Sequence, residues 1–179
     1  MVSIFNSLEK KIEIFNINIK MNHISVTKQD ICMIRTDAIV NAANETLLGG
    51  GGVDGAIHNA CGPQLRHTCE QFPIKELEMS TVVDCGRCDV GEVIVTDSFD
   101  LGTCKYVFHT VAPVLIQIDK EQWKPDHEAL ELCYENCLLK AYEMKLKSIV
   151  FCCLGTGFYG FPKKEAAEIA IRSAKKYSN

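Results

Sequence analysis

The strongest constraint on this chain is a pattern that occurs twice: a short apolar run, then a glycine-rich segment, then residues at helical spacing. Ala38-Ile39-Val40 leads through Asn41-Ala42-Ala43-Asn44 into Gly49 to Gly52, after which Val53, Ile57, Ala60 and Cys61 recur as one helical face. Ser148 to Cys153 leads in the same way into Gly155-Thr156-Gly157-Phe158-Tyr159-Gly160 and then a closing helix over Lys163 to Tyr177. Runs this short and continuously apolar fit strands buried on both faces, which belong to parallel sheets. Both glycine loops then fall at the carboxyl end of the sheet, where open α/β sheets bind ligands.

Further elements fill in the frame. Strands are expected over Lys11 to Lys20, His23 to Lys28, Glu92 to Thr96 and Lys105 to Val111. Gly62-Pro63 interrupts the first helix, and a second helical pattern runs from Gln64 to Phe72, where Pro73 stops it. Asp126 to Met144 reads as a long amphipathic helix with Leu130, Cys133, Cys137, Leu138 and Tyr142 on one side. Strands alternating with helices imply a single-domain, three-layer α/β/α sandwich over residues 1–179, with a mixed, mostly parallel central sheet.

Composition narrows the function classes. A formal net charge of -4 supplies no basic footprint for nucleic acid, and the apolar runs fall far short of the roughly 20 residues a membrane span needs. The opening Met1-Val2-Ser3-Ile4 has no signal-peptide character, so a cytoplasmic or nuclear address is expected. Many of the ten cysteines sit inside apolar segments, as Cys152 and Cys153 do, and read as small free hydrophobes. Cys85-Gly86-Arg87-Cys88 has metal-ligand spacing but no matching second pair.

The glycine loops suit a phosphate, because glycine lets backbone N–H groups approach closely and a helix N-terminus adds a favourable dipole. Neither contains a Gly-Lys-Ser/Thr or a full G-x-G-x-x-G pattern, so the grip differs from both common nucleotide motifs. Glycine clusters also simply make turns. Asp54 at the head of the first helix and His58 one turn later share a face, and suit a general base with a supporting imidazole. They equally suit a helix-dipole acid and a packed histidine. His109 sits in a buried strand and reads as structural, bonded to backbone.

Four ordered segments carry a family resemblance: Asp37 to Asn44, Gly49 to His58, Tyr106 to Pro113, and Gly155 to Pro162. Together they resemble the macrodomain family over about residues 11–177. Within it, Gly50-Gly51-Gly52-Val53-Asp54-Gly55-Ala56-Ile57-His58 is most similar to the subclass that removes ADP-ribose from acidic side chains and deacetylates O-acetyl-ADP-ribose. The resemblance implies ADP-ribose as ligand, no resident cofactor, and ADP-ribosylated proteins as partners of a monomer. It places Asp30 on the adenine amino group with Ile31 beside the ring, and Asn44 on the distal ribose. Asn41 and Ala42 fall in the same binding segment, with Asn41 either touching ligand or tying the loop together.

The resemblance also places Gly51, Gly52 and Val53 along the distal ribose and diphosphate, and Gly155, Thr156, Gly157, Phe158 and Tyr159 as a diphosphate cradle with an aromatic ring against the ribose. Phe158 and Tyr159 read equally as core plugs. Asp54 and His58 become the catalytic candidates. The alternatives are a reader that binds ADP-ribose without turnover and a phosphatase acting on ADP-ribose 1″-phosphate.

The pattern departs from the family at Gln29 and Cys32, which flank the adenine-binding acid, and at Ala112, where a Gly is frequent before Pro113. The metal-binding residues of a zinc-containing subclass are missing, so no catalytic metal is expected. The strand and helix that usually close the family's chain do not follow Tyr177, so either the sequence is truncated or another segment or chain is expected to cover the strand edge.

Overall fold

The structure is a computed structural model that describes residues 14–18, 23–117 and 123–177. The outer parts of the expected first strand, 11–13 and 19–20, lie outside those residues. In chain order the elements are β1 (Ile14–Asn18), β2 (His23–Thr27), β3 (Ala38–Ala43), α1 (Gly52–Cys61), α2 (Pro63–Glu70), β4 (Lys75–Glu76), β5 (Cys85–Gly86), β6 (Val93–Asp97), β7 (Tyr106–Val111), β8 (Ile116–Gln117), β9 (Trp123–Lys124), α3 (His127–Glu143), β10 (Ile149–Cys152) and α4 (Lys163–Lys176). A single 3-10 turn, Ile31–Met33, precedes β3. None of the helices among the described residues is long and apolar enough to cross a membrane.

Six strands form one sheet in the order β2-β1-β10-β3-β7-β6. Parallel pairing holds for its centre, β10 with β3 and β3 with β7, while β1, β2 and β6 join antiparallel. On the side of β10 away from β3 lies β1, in register from Ile14 opposite Cys152 to Ile17 opposite Ile149. Every residue of β10 is buried, and so is all of β3 except Ala42, as expected for strands covered on both sides.

Strand alternation sends successive side chains to opposite faces. The register aligns Phe151 with Val40 and Val40 with Phe108, and this row meets α3. There the Tyr134 ring lies 5.2 Å from that of Phe151, and its hydroxyl accepts a hydrogen bond from Leu154 N–H. The next row, Asn41 beside His109, faces the opposite way, towards α1. α3 and α4 pack on each other, while α2 lies against α1 and β6.

Helix ends follow local chemistry. Asp126 caps α3 by accepting from Ala129 N–H, Pro63 opens α2, and Gly62 between α1 and α2 takes φ 76°, a left-handed conformation that suits glycine. Two expectations change. Tyr142, assigned to the packed side of α3, is largely exposed, and Tyr134 and Ala141 take the buried positions. The short ladders β4–β5 and β8–β9 are additional.

Phe151 is completely buried at the centre of the sheet, so Phe151→Ala should cost about 3–5 kcal/mol of unfolding free energy. Urea denaturation measures it; a loss below about 1 kcal/mol would mean that the two helical layers do not close on this strand.

Candidate functional site

The site is built where β3 ends and α1 begins. Asn41 lies on β3 directly beside His109 on β7, and both side chains are completely buried. The Asn41 Nδ2 amino group donates to Asp54 Oδ1 at 2.7 Å and faces His109 Nδ1 at 3.1 Å. His109 Nε2 in turn meets Thr96 Oγ1 on β6 at 3.0 Å. His58 Nε2 lies 3.5 Å from the same Asp54 oxygen, one helical turn on. Thus Thr96, His109, Asn41, Asp54 and His58 form one continuous polar chain through three strands and the first helix. Asn41 Oδ1, Asp54 Oδ2 and His58 Nε2 have no hydrogen-bond partner in it.

Burial is the dominant influence on these titrations. It pushes Asp54 above the usual carboxylate range, against the hydrogen bond from Asn41 and the charge of His58, which both favour the anion. It pushes His58 below an ordinary imidazole, opposed by Asp54 and reinforced by Arg66. His109 is held down to about 3 by burial and by His58, so it is neutral.

The glycine loop roofs this chain. A side chain at Gly50 would come within 3.1 Å of Asp54 Oδ2 and 3.2 Å of Asn44 Nδ2, and one at Gly49 within 3.3 Å of the His58 ring. Gly55 lies so close to the loop that a Cβ there would sit 2.5 Å from the Gly50 carbonyl. Gly51 and Gly52 face open space. Gly51 caps α1 with no side-chain bond, so the first amides of the helix point outward with the favourable end of its dipole.

The stem of the loop is pinned. Asn44 Oδ1 accepts from the N–H and hydroxyl of Thr46, and its amino group donates to the Gly49 carbonyl. Arg66 donates to the Leu48 carbonyl at 2.7 Å and Arg87 to that of Thr46 at 3.3 Å.

The second loop is anchored at its ends. Thr156 donates through N–H and hydroxyl to the Cys153 carbonyl, and Phe161 N–H donates to that of Gly155. Gly157 faces open space between these anchors. Tyr159 is half-buried and its hydroxyl donates to Glu45 at 3.4 Å, joining this loop to the first, whereas the Phe158 ring is fully exposed. Of the two aromatics, only Phe158 is free to cover a ligand.

The remaining predicted residues divide. Asp30 is exposed, with one oxygen accepting from Cys32 N–H, so the other can take a donor. Ile31 is a core residue with no exposed surface: the 3-10 turn points it inward, which corrects its expected place beside a ring. Asn41 takes the tying role of the two considered for it, because its amino group is already engaged beneath the surface. Ala42 and Val53 are half-buried beside it. His109 bonds to side chains, not to backbone as expected. Glu45, Arg66, Arg87 and Thr96 were not singled out by the sequence reading: Glu45 lies one residue beyond the Asp37 to Asn44 segment and Arg87 inside the Cys85 to Cys88 pair, and neither position signals a role.

A profile of the Macro domain matches residues 40–170. The chain belongs to the Macro domain family. It is 39% identical over 160 residues to an O-acetyl-ADP-ribose deacetylase of Salmonella typhimurium, an alignment covering 87% of this chain and 79% of that one. It is also 39% identical over 155 residues to an ADP-ribose glycohydrolase of Xenopus laevis, covering 86% of this chain and 33% of the other. Among solved structures, the macrodomain of Trypanosoma brucei in complex with ADP-ribose is 38% identical with a TM-score of 0.67. That match covers 83% of this chain and about half, 54%, of the Trypanosoma chain.

The neutral His109 makes stability depend on acid. Its folded pKa of about 3 lies below the ordinary 6.5, so between those values the unfolded chain binds the proton first. The contribution is therefore complete above pH 6.5 and lost as pH falls towards 3, at about 1.4 kcal/mol per pH unit. Urea midpoints across that range should fall steeply in the wild type and less so in His109→Gln; equal slopes would contradict the buried neutral ring.

Proposed function

We propose that this macrodomain binds ADP-ribose across its two glycine loops and hydrolyses ADP-ribosyl esters: the acyl group of O-acetyl-ADP-ribose and the link to Asp or Glu side chains of modified proteins. The observation that carries this reading is the division of labour at Asp54. Its Oδ1 is taken by Asn41 while its Oδ2 is unpartnered, directly below Gly50 and next to the open amides of Gly51 and Gly52.

Glycines at the head of a capless helix and in the second loop form two cradles of backbone donors, which is how a pyrophosphate is held without lysine. Phe158 supplies an exposed ring beside them, and Asn44, at the stem of the first loop, offers an amide for a ribose hydroxyl. Asp30 provides an acceptor for the adenine amino group. The names of the Salmonella and Xenopus relatives and the ADP-ribose complex of the Trypanosoma domain support the same ligand and chemistry.

In the reaction, Asp54 Oδ2 takes a proton from a water that attacks the ester carbonyl. The acyl–oxygen bond breaks, the ribose oxygen takes back the proton held by Asp54, and ADP-ribose and the free acid leave, the acid ionising to a carboxylate in solvent. Burial raises the basicity of Asp54 towards the working pH, where a general base is most effective. His58 Nε2 stands 3.5 Å from the oxygen that Asn41 already bonds, which leaves Oδ2 to the water.

Asp54→Ala should lower turnover of O-acetyl-ADP-ribose and of ADP-ribosylated Glu and Asp substrates by about 10²–10⁴-fold. Its affinity for ADP-ribose by calorimetry should stay within a few-fold. A wild type that binds ADP-ribose and releases nothing would leave a reader module; phosphate release from ADP-ribose 1″-phosphate would instead mark a phosphatase.

A further inference from the structure

Thr96 and His109 lie outside the ligand cradle and outside the Asp54–His58 pair, yet they are buried and joined to it. We propose that they are positioning residues: together they lock one tautomer of His109, which turns the Asn41 amide so that its amino group, and not its oxygen, faces Asp54. The inference rests on the role given to Asp54 above and names what controls its proton.

The argument follows donors and acceptors. Asn41 Nδ2 contacts both Asp54 Oδ1 and His109 Nδ1, at 2.7 and 3.1 Å. An amino group only donates, so His109 Nδ1 must be the bare, accepting nitrogen. The ring is neutral, so its one proton is on Nε2, and the atom that receives it is Thr96 Oγ1 at 3.0 Å. These contacts fit a single assignment of donors and acceptors, in which Asn41 Oδ1 is the atom left without a partner.

Turning the amide over reverses it. The Asn41 oxygen would then accept from a His109 Nδ1–H on one side and meet Asp54 on the other. That arrangement is comfortable only if Asp54 carries a proton. The tautomer of a histidine that touches no substrate therefore selects between the basic and the inert form of the carboxyl.

Local geometry makes the coupling rigid. Asn41 and His109 are register partners on adjacent parallel strands, both without exposed surface, and Thr96 reaches His109 from the antiparallel neighbour. Thr96 is itself buried, so a lost partner is not replaced by bulk water. The titratable or charged groups that act on Asp54 or its partners are His58 on α1, Cys69 and Arg66 on α2, His109 on β7, Cys152 on β10 and Tyr159 in the second loop. Among these, His58 and His109 are the two imidazoles, and burial lowers the pKa of both.

Thr96→Val removes the acceptor of the Nε2 proton at nearly constant volume, and Thr96→Ser keeps it. Nitrogen-15 NMR on the folded wild type should show His109 protonated at Nε2 alone from pH 5 to 8. In Thr96→Val the Nδ1-protonated form should grow, and the apparent pKa of Asp54, read by carbon-13 NMR of its carboxyl and by the acid limb of kcat/KM, should rise by about one unit, tenfold in proton affinity.

ADP-ribose affinity should change less than twofold, and Thr96→Ser should restore both titrations. His109 found protonated at Nδ1 in the wild type overturns the proposal, as does an unmoved Asp54 titration in Thr96→Val or a serine variant that behaves like valine. If the valine variant does not fold, the wild-type tautomer and the serine variant decide. If the wild type hydrolyses nothing, the esterase reading fails while the carboxyl titration still tests the relay.

Discussion

One hydrogen bond, from the Asn41 amino group on the sheet to the Asp54 carboxyl on the first helix, holds the site together. It ties the end of a buried strand to the head of α1 at the point where the chain must also turn through four glycines. A charged group that deep costs free energy unless it is bonded, and Asn41 supplies the bond. The second oxygen of the carboxyl is then the only part left to do chemistry, and the glycine roof determines what reaches it.

The rest of the molecule serves to keep that geometry. Three parallel strands buried on both faces fix the height of Asn41 and His109. Arg66 and Arg87 hold the stem of the first loop by its carbonyls, while Gly49 and Gly50 sit against His58 and Asp54 and Gly51 and Gly52 face open space. Tyr159 ties the second loop to Glu45, which leaves Phe158 as the exposed aromatic surface. The physical reason for a glycine in these loops is a close approach at Gly50 and Gly55 and an unobstructed backbone at Gly51, Gly52 and Gly157.

Much of this was legible in the sequence where the signal is local. The central strands announced themselves as unbroken apolar runs, and the start of α1 as the end of a glycine block. The i,i+4 spacing put Asp54 and His58 on one face, and the family resemblance made them catalytic candidates. What was not legible depends on register and depth. Two-residue ladders such as β4–β5 have no period to detect. Tyr142 and Tyr134 sit at nearby positions of one helix, and only packing chooses which is buried. Ile31 looked like a ligand neighbour because it follows Asp30, but a 3-10 turn sends it inward. The contact from His109 to Thr96 crosses strands, and no spacing along the chain reveals it.

The most direct measurement is the carbon-13 titration of the Asp54 carboxyl in the folded wild type and in Asn41→Ala. The carboxyl should titrate above an ordinary aspartate, which has a pKa of 3.8, and should rise further once the Asn41 donor is removed. A carboxyl that titrates at or below the ordinary value, or one indifferent to the loss of Asn41, would contradict a site organised around that bond.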